Sequence, residues 1–327
     1  IRRQRQMCIR DSKWTLSLSA PLRWTGYTGV GFSRISVNPS LSIIYKLNYA
    51  WRFTVHASYK ERYGEMTDLY DRPYQTDYRN SVWNCGILPV YRQQLYSVYG
   101  EYKNTAREFF ATVNLTHNRE WYNRIYEQRI ENGQVQRVSL PLSNHGSGYT
   151  VKSTLSKGFY DLGLKTSFLA LLNISKAEQI SGGQRLPYQY RLMRLEPKVI
   201  WTPNRHWETS YQTDIRYGGS KIGERTRLAP LWNVIQQVQL SYIFSPIEAS
   251  LSVDHYHNDV NEDQSVNAVF ADFSVSWKSG RWQITATATN LFDKRTYAYT
   301  RYASLESYTS WVRIRPREFL VAIRYRL

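Results

Sequence analysis

The chain has 327 residues, a formal net charge of +17 and a mean hydropathy of −0.55, enough for one large domain or two small ones and far too polar for a bundle of membrane helices. No apolar run exceeds five residues (Phe168 to Leu172). Two cysteines, Cys8 and Cys85, exclude a disulfide-stapled scaffold and a multi-cysteine zinc site. With 11 Trp, 27 Tyr and 11 Phe, aromatics reach 15% of the chain, a load that disordered chains lack.

Residues 1–12 (IRRQRQMCIRDS) share none of the patterning that follows and read as a non-native, adapter-derived segment, which leaves 13–327 as the folding unit. The alternative is a basic N-terminal arm. Removing the segment takes away four arginines and one aspartate and leaves +14, so the basicity belongs to the rest of the chain.

From Lys13 onward helical periodicity is nearly absent and alternation with a period of two recurs. One parity is apolar at Trp14, Leu16, Leu18, Ala20 and Leu22, then at Leu41, Ile43, Tyr45, Leu47 and Tyr49, and again at Trp51, Phe53, Val55, Ala57 and Tyr59. The pattern returns at Phe168, Ala170 and Leu172, at Trp207, Tyr211, Ile215 and Tyr217, at Ile247 to Val253, at Trp282 to Ala288 and at Phe319 to Leu327. The opposite parity is polar, as in Glu248, Ser250, Ser252 and Asp254 or Gln283, Thr285, Thr287 and Thr289. These segments run to about 10–13 residues, longer than strands of soluble sandwiches. At about 3.3 Å per residue and a tilt of about 40°, twelve residues project to about 30 Å, enough for the apolar band of a membrane barrel. Pro197 sits inside one such segment and predicts a bulge, and Gln94 to Tyr102 carries apolar residues on both parities.

Connections alternate in length. Short ones fall near Asn48–Ala50, Lys103–Ala106, Lys157–Asp161, Thr202–His206, Phe244–Pro246 and Lys278–Arg281. Long ones fall near Tyr63–Tyr91, Trp121–Gly146, Glu178–Pro187, Gly218–Leu231, Asn258–Val266 and Phe292–Trp311. Tight turns on one side and long loops on the other characterise up-and-down transmembrane barrels. The sequence therefore predicts an all-β fold, an antiparallel transmembrane β-barrel portion of about fourteen strands, open where truncated. Aromatics at the strand ends (Trp51, Trp121, Trp201, Trp207, Trp277, Trp282) suit interfacial girdles, with ordinary strand enrichment as the alternative.

No GxSxG, HExxH, CxxC or phosphate-loop motif occurs, and the glycines of GYTGVG (Gly26, Gly29, Gly31) open no helix, so the chain reads as a non-enzyme without a cofactor. The sharpest polar cluster is Asp254, His255, Tyr256, His257, Asn258, Asp259, Glu262 and Asp263. Its two histidines share one face, which suits a metal, but that face continues Leu251 and Val253 and suits lipid headgroups better. Lys and Arg are scattered rather than clustered. That favours lipopolysaccharide phosphates and a polar lumen over nucleic acid.

The segment from Ala288 to Leu327, with Asn290-Leu291-Phe292-Asp293-Lys294 followed by an Arg-rich aromatic strand, resembles the C-terminus of TonB-dependent outer-membrane receptors. NPSLSIIYKLNYAWRFTVHASYKERYGEMTDLY, YSVYGEYKN and LSKGFYDLGLKTSF are similar to the large outer-membrane β-barrel branch of that family. The ending Tyr325-Arg326-Leu327 departs from the terminal Phe usual there. The resemblance implies a barrel of about twenty-two strands preceded by a plug, import of a scarce nutrient, and a Gram-negative outer membrane. As partners it implies the energy-transducing TonB complex, outer-membrane lipid, lipopolysaccharide and a surface lipoprotein. Candidate ligand-binding surfaces are Glu65 to Tyr91, Tyr122 to His145 and Thr296 to Ser310, with no individual contact assigned. A passive or adhesive barrel without a plug, and a soluble β-rich binding module, are the competing readings.

Overall fold

The computed structural model describes residues 13–326 except 85, 132–133, 224–225, 262 and 304–305. The N-terminal segment 1–12, both cysteines and Glu262 lie outside the described residues.

The strands follow the alternation in chain order. β1 (Trp14–Ser19) rises into a hairpin of β2 (Leu22–Tyr27) and β3 (Phe32–Val37), which returns as β4 (Ser40–Lys46). β5 (Trp51–Tyr63) leads through the short β6 (Tyr74–Gln75) and β7 (Asn80–Trp83) to β8 (Val90–Asn104). β9 (Phe109–Tyr122) rises to a hairpin of β10 (Ile125–Glu131) and β11 (Gln134–Leu140) and comes back as β12 (Asn144–Phe159). Three long hairpins follow: β13 (Leu164–Ser181) with β14 (Gln184–Asn204), β15 (Trp207–Ile222) with β16 (Thr226–Phe244), and β17 (Ile247–Asp259) with β18 (Ser265–Ser279). β19 (Trp282–Thr289) rises to the hairpin β20 (Thr296–Ala303) and β21 (Glu306–Arg313), and β22 (Glu318–Tyr325) descends.

Fourteen of these strands form one antiparallel wall in the order β1, β4, β5, β8, β9, β12 to β19 and β22. β1 pairs only with β4 and β22 only with β19, so among the described residues the wall is open, with two free edges. All eight residues of β22 are exposed.

The register puts every apolar set on one face. Leu115, Val98, Val55 and Ile43 are successive cross-strand neighbours on one side, and Phe273, Leu251 and Leu240 are neighbours on another stretch of the same face. These residues are exposed or half-buried rather than packed, an arrangement stable only against hydrocarbon. An aromatic belt runs round this face at the short-turn end. Trp14 stacks on Tyr45 with ring centres 4.3 Å apart, and Trp51 meets Tyr102 at 4.7 Å, Trp207 meets Tyr242 at 4.6 Å and Trp282 meets Tyr325 at 4.7 Å in tilted pairs. Ten residues farther along β15 and β16, Tyr217 meets Trp232 at 4.7 Å. Ten tilted strand residues rise about 25 Å, the height of the apolar band of an outer-membrane barrel.

The six short connections fall where the sequence puts them, all at one end of the wall. Other expectations need correcting. The segments around Glu178–Pro187 and Gly218–Leu231 are not loops but continuations of the ladder, so that β13, β14 and β16 reach 18, 21 and 19 residues. The first of these hairpins closes through Gly182 and Gly183 at φ 57° and 75°, a left-handed pair that glycine adopts without cost. Trp14 to Trp24 is broken at Ala20-Pro21 into β1 and β2. Pro197 makes no bulge: it faces Phe168 in register, and the offset to β15 is the same at Leu195 and at Lys198. Only the ladder pairing at Glu196 and Pro197 is lost on the β15 side. Register shifts occur instead at Trp201/Asn204 and Gly218/Ser220.

Candidate functional site

The polar face of the wall, which in a barrel turns to the lumen, is charged and cross-linked. Arg194 on β14 donates from Nε and Nη2 to the two oxygens of Asp214 on β15, at 3.1 and 2.9 Å, and approaches Glu196 at 2.6 Å. Arg216 reaches the same Asp214 at 2.6 Å. Higher up, near the long-loop end, the Glu120 carboxylate of β9 accepts four hydrogen bonds: from Tyr91 at 3.0 Å, Gln93 at 3.0 Å, Asn118 at 2.9 Å and Tyr122 at 2.7 Å.

Above Glu120 two of the three candidate surfaces are brought together. At Tyr122 the chain leaves β9, and Asn123 pins its exit by accepting from the backbone N–H of Val90 at 2.8 Å and donating to the carbonyl of Leu88 at 2.9 Å. Arg124 then reaches across to Asp68 at 3.0 Å, on the turn Met66–Leu69 of the preceding loop. Two parallel pairings complete the layer: β11 runs beside β7 from Val135↔Asn80 to Val138↔Trp83, and β10 touches β13 at Glu127↔Ile180. Ile125 is 0% exposed, and Val138 and Ile180 are buried beside it. The loop strands thus pack apolar side chains out of water, Ile180 at the upper end of β13 included.

Between β10, β11 and the upper ends of β9, β12, β13 and β14 lies a cavity of about 580 Å³, within the usual range for small-molecule sites. Tyr122, Tyr126 and Tyr188 supply its aromatic surface, and Arg124, Arg137, Glu127 and Glu178 its charge. Two guanidinium groups lie over the Tyr126 ring, Arg137 at 3.6 Å and Arg124 at 5.0 Å from its centre, a cation–π arrangement. Glu127 is paired with Arg129 at 2.7 Å and Glu178 with Arg185 at 2.5 Å. Burial pushes the Tyr188 phenol up, so it is a neutral O–H at any physiological pH.

The third candidate surface is placed elsewhere. The β20–β21 hairpin folds over the polar face of β17 and β18, where Asn258 donates to the Tyr297 hydroxyl at 3.0 Å and to the Ala298 carbonyl at 3.3 Å. Tyr297 meets Tyr256 edge-on at 5.2 Å, and Ala298 is fully buried. The Asn290–Lys294 element prepares this fold-back. Asn290 and Asp293 take positive φ of 52° and 51°. The Asn290 amide donates to the carbonyls of Lys294 and Arg315, at 2.8 and 2.9 Å, and so ties the exit of β19 to the entry of β22.

The histidine pair sits on the apolar parity of β17. His257 Nδ1 lies 2.9 Å from the Asn267 side-chain oxygen, its Nε2 lies 3.3 Å from Asp259, and His255 Nδ1 lies 3.2 Å from Gln236. Among the described residues no three His, Cys, Asp or Glu side chains are grouped to hold a metal.

Sequence reasoning treated Tyr122 to His145 as an undivided loop and missed Tyr126 and Arg137 as a pair. The signal was present: Asn132-Gly133 between two alternating segments is the strongest short-range hairpin signature.

No family model matches the sequence, and no curated protein matches it. Two solved structures of the FrpB iron transporter from Neisseria meningitidis are similar in fold. The F3-3 variant has a TM-score of 0.53 at 10% identity, covering 89% of this chain and 47% of that one. The F5-1 variant, in its apoprotein form, has a TM-score of 0.51 at 9% identity, covering 90% and 47%. This chain thus spans about half the length of these two structures. At that identity the likeness is one of fold, that of an outer-membrane β-barrel.

Proposed function

We propose that this chain is the C-terminal barrel portion of a TonB-dependent receptor that imports a scarce nutrient across the outer membrane of a Gram-negative bacterium. One observation carries the reading: a fourteen-strand wall, apolar outside and charged inside, overhung at one end by loop strands that line a cavity and left, among the described residues, with two unpaired edges. In hydrocarbon each unpaired backbone group at those edges costs several kcal/mol, so the wall calls for further strands. A barrel of about twenty-two strands is too wide for side chains to fill and needs an internal plug. On this reading 13–327 is barrel, 1–12 is non-native, and the plug carries the contact with the TonB complex. The outer face meets lipid and lipopolysaccharide, a surface lipoprotein assists ligand capture, and neither nucleic acid nor catalysis has a part.

The β20–β21 hairpin, which covers part of the inner face by itself, favours a second reading, a passive or adhesive barrel without a plug. Energy dependence separates the two. Cells expressing the complete receptor should accumulate the nutrient until a protonophore collapses the proton-motive force. Uptake that persists under the protonophore would leave the passive barrel, and recovery of the protein as a soluble monomer would sink both.

A further inference from the structure

The cavity above Glu120 has a charge balance that selects its ligand. Both carboxylates in its lining are already neutralised, Glu127 by Arg129 and Glu178 by Arg185, and Arg124 is held by Asp68 at 3.0 Å. Arg137 remains. Among the described residues it has no carboxylate partner, and its guanidinium lies over the Tyr126 ring at 3.6 Å. Stacking holds the plane of an arginine while leaving its in-plane N–H donors free for a bidentate acceptor.

A second observation points the same way. The side-chain oxygen of Asn144, in the cavity lining, is buried without a hydrogen-bond partner, while the amide nitrogen donates to the Glu178 carbonyl at 2.9 Å. That bond fixes which end of the amide is which, so the orphan is an acceptor awaiting a donor. Tyr122, Tyr126 and Tyr188 supply flat surfaces for a ring.

We propose that this cavity binds a small monoanion in which a carboxylate is carried on a hydroxyl-bearing ring: the carboxylate on Arg137, a ring hydroxyl donating to Asn144, and the ring against the tyrosines. A second negative charge has no unpaired cation to meet and would face Glu127 and Glu178. The proposal rests on reading this end of the wall as the ligand-facing, extracellular end.

The test is calorimetric titration of the complete receptor in detergent micelles with salicylate and glucuronate, against phenol and glucose as neutral counterparts. At least one acid should bind tenfold or more tightly than its neutral counterpart. Preference for salicylate identifies an aryl acid and preference for glucuronate a sugar acid. Arg137→Gln should remove the preference. Asn144→Asp, which places a carboxylate at the orphan acceptor without emptying the cavity, should weaken both acids tenfold or more while leaving the neutral compounds unchanged. Equal affinity for acid and neutral counterpart, or undiminished preference in Arg137→Gln, overturns the ligand class. If the protein still sediments with outer membranes, the receptor reading survives that result. A protein absent from the membrane fraction overturns the receptor reading instead.

Discussion

The wall and the loop layer above it are built from the same chain on opposite principles. In the wall, large apolar residues such as Leu115, Phe168 and Phe273 remain 48%, 39% and 41% exposed, while residues next to them in sequence, such as Asn114, Thr116, Ser167 and Ser274, turn to the opposite face. In the loop layer Ile125 and Val138 are buried, together with the polar Glu127 and Ser139, and Ile180 at the upper end of β13 is buried where β10 meets it. Each region is stable only in its own solvent: the first needs hydrocarbon outside it, the second needs water. What differs is the source of the driving force, since burial from water stabilises the loop layer but contributes nothing between apolar groups already in lipid. The wall must then rely on its continuous backbone ladder.

Truncating the loop core should give the largest effect. Ile125→Ala removes a fully buried side chain and should cost the loop layer about 2–5 kcal/mol. Hydrogen exchange should show β10, β11 and β7 opening while the amides of β14 to β18 keep their protection. Simultaneous loss of both would mean that the two regions form a single cooperative unit.

A charge on the lipid face tests the wall. Leu251 faces Leu240 and Phe273 on the apolar side, whereas its neighbour Ser252 faces Gln239 and Asp272. Leu251→Arg should therefore cost about 2–4 kcal/mol near the midplane and Ser252→Arg much less. Urea midpoints of the protein folded into lipid vesicles measure both. Similar shifts would erase the distinction between faces, because a one-residue change of register exchanges them.

Asn290 ties the wall to its other folded loop, the β20–β21 hairpin. It is buried at φ 52° and donates to two carbonyls, so Asn290→Ala removes those bonds and leaves a residue ill-suited to the left-handed conformation, at about 1–3 kcal/mol. The β20–β21 hairpin should lift from β17, read as faster proteolysis within 296–313. Unchanged cleavage would show that Asn258 and Tyr297 hold the hairpin without it.

The wall was legible because its physics is local. Alternation, turn residues and strand length sit in consecutive residues, and the six short turns fall where they were read. The Asn290–Lys294 element was legible as a pattern, though not as the tie it makes to Arg315. The cavity was not legible, since β7 and β11 meet across more than fifty residues and in parallel, a pairing that no local periodicity announces. Arg137 looked like one scattered arginine among many until Tyr126 appeared beneath it. Pro197 misled for the opposite reason: a proline in a strand usually signals a bulge, but here the ladder gives up pairing on one side and keeps its register.

The smallest expected effect concerns the rim of the loop layer. Asp77 accepts hydrogen bonds from the backbone N–H groups of Arg79 and Asn80, at 2.8 and 2.9 Å, and from the Asn80 amide at 2.7 Å; led by the last, these bonds hold its carboxyl below the usual carboxylate range. A depressed folded-state value means that the ionised form supports the fold. The contribution is complete above the ordinary carboxylate value of about 4 and fades as pH falls through the lower, folded-state one. Because Asn80 begins β7, the parallel contact with β11 should loosen in the same window. Proteolysis by an acid-active protease within 74–83 should then rise as the pH is lowered from about 5 to about 2, beyond the enzyme's own pH dependence on an unfolded substrate. Asp77→Ala should be susceptible across that range, whereas Asp77→Asn, which keeps an acceptor oxygen but cannot ionise, should be flat and intermediate. A variant with asparagine that retains the parent's pH response would assign the effect to another carboxylate of the loop layer.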